Sequence, residues 1–171
     1  MNTSIVLTII ADDQPGVIQS VSEVLTHHGG NWTKSSMSSL AGRFAGILLA
    51  SVPAENTETC LAELRELESR GLQVVTNVSG ETTEATETTT YVLDLVGNDR
   101  PGIIHDVTTL LANHKISVHD LETRIESASM SGGNLFKATA QLDVPETVDT
   151  SLLVAELEDL ANDLMVDIRF T

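Results

Sequence analysis

The sequence predicts an α+β chain made of two copies of one βαββαβ module. Three observations carry this: a gapless internal repeat, the same order of strand-like and helix-like runs in both copies, and a Thr/Glu-rich stretch between them. The segment beginning at Val6 aligns with the segment beginning at Val92 at an offset of 86, through Ile18 and Ile104. The match continues through Val21 and Val107, Leu25 and Leu111, and His28 and His114. Beyond a longer loop in the second copy, Phe44 meets Phe136 and Val52-Pro53 meets Val144-Pro145 at an offset of 92. The six extra residues fall between Glu126 and Asn134, in a Ser/Gly-rich stretch that reads as a hairpin loop. The organisation is thus one module over 1–78, a linker over 79–90, and a second module over 91–171. The linker holds no apolar residue larger than alanine, so burial cannot offset the entropy of ordering it.

Each element has its own local reason. Residues 5–11 and 91–97 are short β-branched runs bounded by turn residues, hence strands. Val17, Ile18, Val21, Val24, Leu25 and His28 recur at helical spacing, as do Ile103, Ile104, Val107, Leu110, Leu111 and His114. Gly29-Gly30 closes the first of these helices. Mixed-polarity strands follow over 31–40 and 116–125, then strands over 43–52 and 135–144 that each end in Val-Pro. In the last of these, Phe136, Ala138, Ala140, Leu142 and Val144 alternate with polar residues, the pattern of a half-buried strand. A second helix carries Leu61, Leu64 and Leu67 in copy one, and Leu153, Leu157, Leu160 and Leu164 in copy two. Thr57, and Asp149 or Thr150, suit its N-cap, and Gly71 its end in copy one. Closing strands run over 72–78 and 165–170.

Two right-handed crossovers per unit give a four-stranded antiparallel sheet with both helices on one face, the ferredoxin-like arrangement. The other sheet face is left uncovered, which invites pairing between modules or chains. Ile47 and Leu49 are expected on that face, and a homodimer is the expected assembly.

Composition narrows the function. Nine Lys+Arg stand against 25 Asp+Glu, for a formal net charge of −16. The residues divide as −4 over 1–78, −3 over 79–90 and −9 over 91–171, so acidity is concentrated in the second copy. Such a chain is poor at replacing counterions on nucleic acid and at docking on an acidic membrane. Five aromatics, Trp32, Phe44, Tyr91, Phe136 and Phe170, are too few for a base-stacking platform. The single cysteine, Cys60, excludes an internal disulfide and fits a reducing compartment. The N-terminal apolar run is too short and too acidic for a secretory signal, so a cytoplasmic location is expected.

The most distinctive local feature is Asp13-Gln14-Pro15-Gly16 and its copy Asp99-Arg100-Pro101-Gly102, each where the first strand gives way to the first helix. An N-capping Asp and a Pro in the first turn account for two of these residues structurally. The glycine is less well explained, since inside a helical turn it costs stability relative to alanine. A gap in the side-chain wall that admits a small molecule would explain it, and the two readings stand side by side. A ligand carboxylate at this helix start would meet unpaired amides, while Asp13, Asp99 or Asn98 could take an ammonium. Those two demands describe a free amino acid.

Other chemistry is sparse. His27, His28 and His114 sit at helix C-termini, and His119 lies on a strand that could face an interface. No spacing marks a metal site or a cofactor loop, and no nucleophile motif is present, so neither metal, cofactor nor catalysis is expected. Cys60, beside Leu61 on an amphipathic helix, reads as packing.

A βαββαβ unit opening with Asp-x-Pro-Gly-[Val/Ile]-Ile resembles the ACT domain, a small regulatory module that commonly binds amino acids. Two such units in a stand-alone chain are similar to the glycine cleavage system transcriptional repressor family. The resemblance implies a regulator that does not itself read DNA. It implies action through a LysR-type activator in response to an amino acid such as glycine. It also places ligand near the first loop of paired domains. Carried onto this chain, those residues are Asp13, Gln14, Pro15, Gly16 and Val17, with Asn98, Asp99, Arg100, Pro101, Gly102 and Ile103; His119, from its place on a strand that could face an interface, is a further candidate ligand residue. Arg100, where copy one has Gln14, is the better placed to attract a carboxylate. The rival reading is a regulatory subunit of an amino-acid enzyme with no role in transcription.

Overall fold

The computed structural model describes residues 1–78, 87–127 and 133–171. The chain divides into two compact units, Met1–Thr83 and Glu84–Thr171. In the first, the order is β1 (Asn2–Asp12), α1 (Val17–His27), β2 (Asn31–Leu40), β3 (Arg43–Pro53), α2 (Thr57–Glu66) and β4 (Gln73–Val78). In the second it is β5 (Thr88–Asn98), α3 (Ile103–Asn113), β6 (Ser117–Ser127), β7 (Asn134–Pro145), α4 (Thr150–Leu164) and β8 (Val166–Phe170). The sheets run β2-β3-β1-β4 and β6-β7-β5-β8, with every pair antiparallel. Both units therefore have the predicted ferredoxin-like α+β fold.

Alternation along the strands builds each core. Ile5, Leu7, Ile9 and Ala11 of β1 are buried, and meet Val17, Val21, Val24 and Leu25 of α1 and Leu61 and Leu64 of α2. Leu93 and Leu95 of β5 do the same against Ile103, Val107 and Leu111 of α3 and Leu153 and Leu157 of α4. Full burial of one such side chain stabilises by about 1.5–3 kcal/mol, which holds the helices to one sheet face. Cys60 is buried in the first core, and burial raises its thiol pKa.

Several local expectations are corrected. Thr57 does not cap α2; it is the first helical residue, and its hydroxyl donates to the Pro53 carbonyl at 3.1 Å. Asp149 rather than Thr150 caps α4, its carboxylate accepting from the Ser151 and Leu152 amides at 2.9 and 3.2 Å. Met165, read as the start of the last strand, instead ends α4 in a left-handed conformation. Thr88, Thr89 and Thr90, at the end of the linker where threonine content leaves room for an extended strand, lengthen β5 and pair with Pro145, Val144 and Asp143. The rest of the linker over 79–86, and residues 128–132 of the predicted hairpin loop, lie outside the described residues.

The uncovered faces of the two sheets differ in chemistry. On the first, Thr8 lies between Ile47 and Val75, with Val6, Ile10 and Leu49 beside them. Ile47 is 55% exposed and Val75 58%, and Ile47 does occupy the open face. On the second, the corresponding strands present Asp94, Asp120, Glu122, Arg124, Glu126, Lys137, Asp167 and Arg169. Here Arg124 and Lys137 both hold Glu126, at 2.7 and 2.6 Å, and these two bonds keep its carboxyl below the usual range. Among the described residues no helix is long and apolar enough to cross a membrane.

Candidate functional site: the paired Pro-Gly turns

Each Pro-Gly turn begins where the centre strand of its sheet ends. In the first unit the Asp13 amide donates to the Gly42 carbonyl at 2.9 Å. The Asp13 carboxylate accepts a hydrogen bond from the Ser39 hydroxyl. Asp13 therefore ties the strand end to the neighbouring β2–β3 hairpin, and the expected helix cap is absent: α1 has no side-chain cap bond. In the second unit the Asp99 amide likewise donates to the Asn134 carbonyl at 2.9 Å, and α3 also lacks a side-chain cap.

The cap residue is the glycine itself. Gly16 has φ 97° and ψ −5°, and Gly102 has φ 95° and ψ −10°. A left-handed glycine directly after a proline is the signature of a type II turn, which requires positive φ at its third position. This corrects two expectations. Pro15 and Pro101 lie in the turn, outside the helix. The glycines are explained by backbone conformation, without an appeal to a cleared path for ligand. A Cβ on Gly16 would meet nothing within 4 Å, and one on Gly102 only Asp106 Oδ2 at 3.9 Å. The space beside both turns is open.

The chemistry of the turns follows from this geometry. Val17 and Ile103 are buried and anchor the helix starts. Gln14, Pro15, Gly16, Asn98, Asp99, Arg100, Pro101 and Gly102 are all exposed. Each helix thus presents uncapped first-turn amides beside an acidic residue, able to accept a carboxylate and an ammonium at adjacent points. The second turn adds the Arg100 guanidinium.

His119 is placed elsewhere. It occupies the bulge between Val118 and Asp120 on β6, with Nδ1 3.4 Å from Asp143 Oδ2. Asp143 pairs with Thr90, whereas the turn follows Asn98 at the other end of the same strand. Eight residues of strand separate the two, roughly 26 Å at about 3.3 Å per residue. Within its module His119 does not join the turn.

The structure also brings together groups that spacing did not. His28 Nε2 lies 2.6 Å from Glu63 Oε2, and His114 Nε2 lies 2.5 Å from Glu156 Oε2. The same helix-to-helix tie recurs in both modules, and the His28 bond lowers the Glu63 pKa. Among the described residues one group of three, His27, His28 and Glu63, is close enough to share an ion.

Residues 3–78 and residues 90–162 each match the ACT domain family. The chain is a tandem ACT-domain protein. An unknown protein from Galdieria sulphuraria has a similar structure, with a TM-score of 0.88 and 26% identity, covering 99% of this chain and 98% of that one. A candidate glycine cleavage system transcriptional repressor matches with a TM-score of 0.73 and 19% identity, covering 100% of this chain and 97% of that one. At that identity the second likeness speaks for the fold. No curated protein sequence matches this tandem ACT protein.

Proposed function

We propose that this tandem ACT protein is a cytoplasmic, non-catalytic regulator that binds a free amino acid and acts on a DNA-binding protein. One observation carries the reading: both modules place an uncapped helix start beside Asp13 or Asp99 at an exposed, left-handed glycine. Free amides with a positive helix end suit a carboxylate, and the acidic side chain suits an ammonium. The module carrying Arg100 has the stronger attraction for the carboxylate, and glycine is the first ligand to try.

The overall likeness to a candidate glycine cleavage repressor supports control of glycine catabolism as the setting. A net charge of −16 opposes direct DNA binding and favours a basic protein surface as partner, such as that of a LysR-type activator. Helix α4 suits that contact: Glu158, Asp159 and Asp163 are exposed on it, and its sequence contains no Lys or Arg. The apolar patch of Ile47, Val75, Val6 and Ile10 on the open face of the first sheet supports a homodimer in which two copies of that sheet meet, like against like.

Thermal melting with each of the common amino acids in turn tests the sensor reading. One or a few should raise the melting temperature in a concentration-dependent way. Stabilisation by none would remove it. Capture from the source extract then tests the partner: recovery of a transcription factor supports the reading, and recovery of an amino-acid enzyme alone would replace it with the subunit role.

A further inference from the structure

We infer that the first module carries a binding site for a divalent transition-metal ion, formed by His27, His28 and Glu63. The site is assembled by two helices. His27 is the last residue of α1 and His28 its C-cap, and their rings stack with centroids 5.1 Å apart and 24° between planes. Glu63 reaches them from the middle of α2: its Oε2 lies 2.6 Å from His28 Nε2 and 3.7 Å from His27 Nδ1. One ligand atom from each of the three falls within 4.8 Å of the others.

Those separations suit a metal. Zinc binds imidazole nitrogen and carboxylate oxygen at about 2.0–2.2 Å, so ligand atoms at the corners of a tetrahedron stand about 3.3 Å apart. The Glu63–His28 edge has to open by about 0.7 Å, the Glu63–His27 edge to close by about 0.4 Å, and the His27–His28 edge, within 4.8 Å, to close by up to about 1.5 Å, movements that side-chain torsions supply. The donor set, two imidazoles and one carboxylate, matches zinc, nickel or copper and is poorly matched to magnesium or calcium. Support is present as well. The Asn56 side-chain Nδ2 donates to the His28 carbonyl at 3.1 Å, fixing the backbone at the ligand, and the Thr59 hydroxyl lies 3.5 Å from His28 Nδ1. The same flank opens into a hollow of about 430 Å³, lined by Glu23 and Glu66 and by one cation, Arg70, with room for a water ligand.

The second module supplies an internal control. It keeps the tie between helices, His114 to Glu156, but has Asn113 where the first has His27. The His–Glu bond is therefore sufficient as a structural link, and His27 is not needed for it. The His27 side chain is 73% exposed, so the core does not account for it either. What His27 adds is a second nitrogen donor at the same carboxylate.

The test is a titration of the untagged full chain with zinc chloride, followed by calorimetry, and with cobalt(II), followed by its visible ligand-field absorption. One ion should bind per chain. His27→Asn, which copies the second module, should weaken binding at least tenfold, because loss of even a supporting partner of a metal ligand costs about 10–100-fold. His119→Asn should leave binding unchanged. Far-ultraviolet circular dichroism of His27→Asn should match the parent. No saturable binding by the parent, or a loss of less than tenfold in a folded His27→Asn, would overturn the site.

Discussion

Replacing Gly16 with alanine separates a backbone role from an open-space role by the sign of its effect. Elsewhere, an exposed glycine in a permissive conformation gains about 0.4–1 kcal/mol of stability on becoming alanine, because the unfolded chain has fewer states to lose. At Gly16 the φ of 97° places an L-residue in strained backbone, at about 1–3 kcal/mol. Nothing stands within 4 Å of the added Cβ, so no steric term enters and the whole effect is conformational. The balance is a net loss of about 1 kcal/mol. Trp32 is the chain's only tryptophan and packs against the first core, so its fluorescence reports this module's unfolding specifically. Urea denaturation of the full chain, followed at Trp32, should show a lower midpoint with unchanged slope. A stabilised Gly16→Ala would refute the left-handed turn and return the glycine to the role of a cleared path.

Other perturbations follow from single contacts. Asp149→Ala removes the carboxylate that accepts the Ser151 and Leu152 amides, and should cost about 1 kcal/mol in a transition monitored by Tyr91 of the second module. Glu126 is held below the ordinary carboxylate range by Lys137 and Arg124, so its contribution is present above that range and lost as pH falls through the lowered value. Glu126→Gln should therefore melt below the parent at neutral pH, and the gap should close in acid. Ile47→Asp places a charge in the apolar patch of the open face; sedimentation should show the parent as a dimer and the variant as a monomer.

Much of the fold was legible because its signals are periodic and duplicated. Ile5, Leu7 and Ile9 alternate, Val17, Val21 and Leu25 recur at helical spacing, and each pattern appears again at a fixed offset. The turn chemistry was less legible. Asp before Pro-Gly looks like a helix cap, yet hydrogen bonding to the adjacent hairpin takes its backbone amide, and in the first module its carboxylate, away from the helix. Long-range pairs were not legible at all. Glu63 and Glu156 serve the same histidine in each copy but stand 93 residues apart, one more than the offset of 92 that follows the longer loop, so the alignment sets Glu63 against Ala155. On their helices they resemble any solvated glutamate. The contrast between one apolar and one charged sheet face needs strand register, which hydropathy along the chain does not supply.

Receipt of a free amino acid at the two Pro-Gly turns is what the proposed function requires. Its most direct measurement is two-dimensional NMR of the uniformly 15N-labelled chain, titrated with glycine and then with whichever amino acid raises the melting temperature. Saturable amide shifts are expected at Gly102 and Ile103, and at Gly16 and Val17 if both modules bind. Saturable shifts confined to residues away from both turns would contradict it, as would their absence with every amino acid.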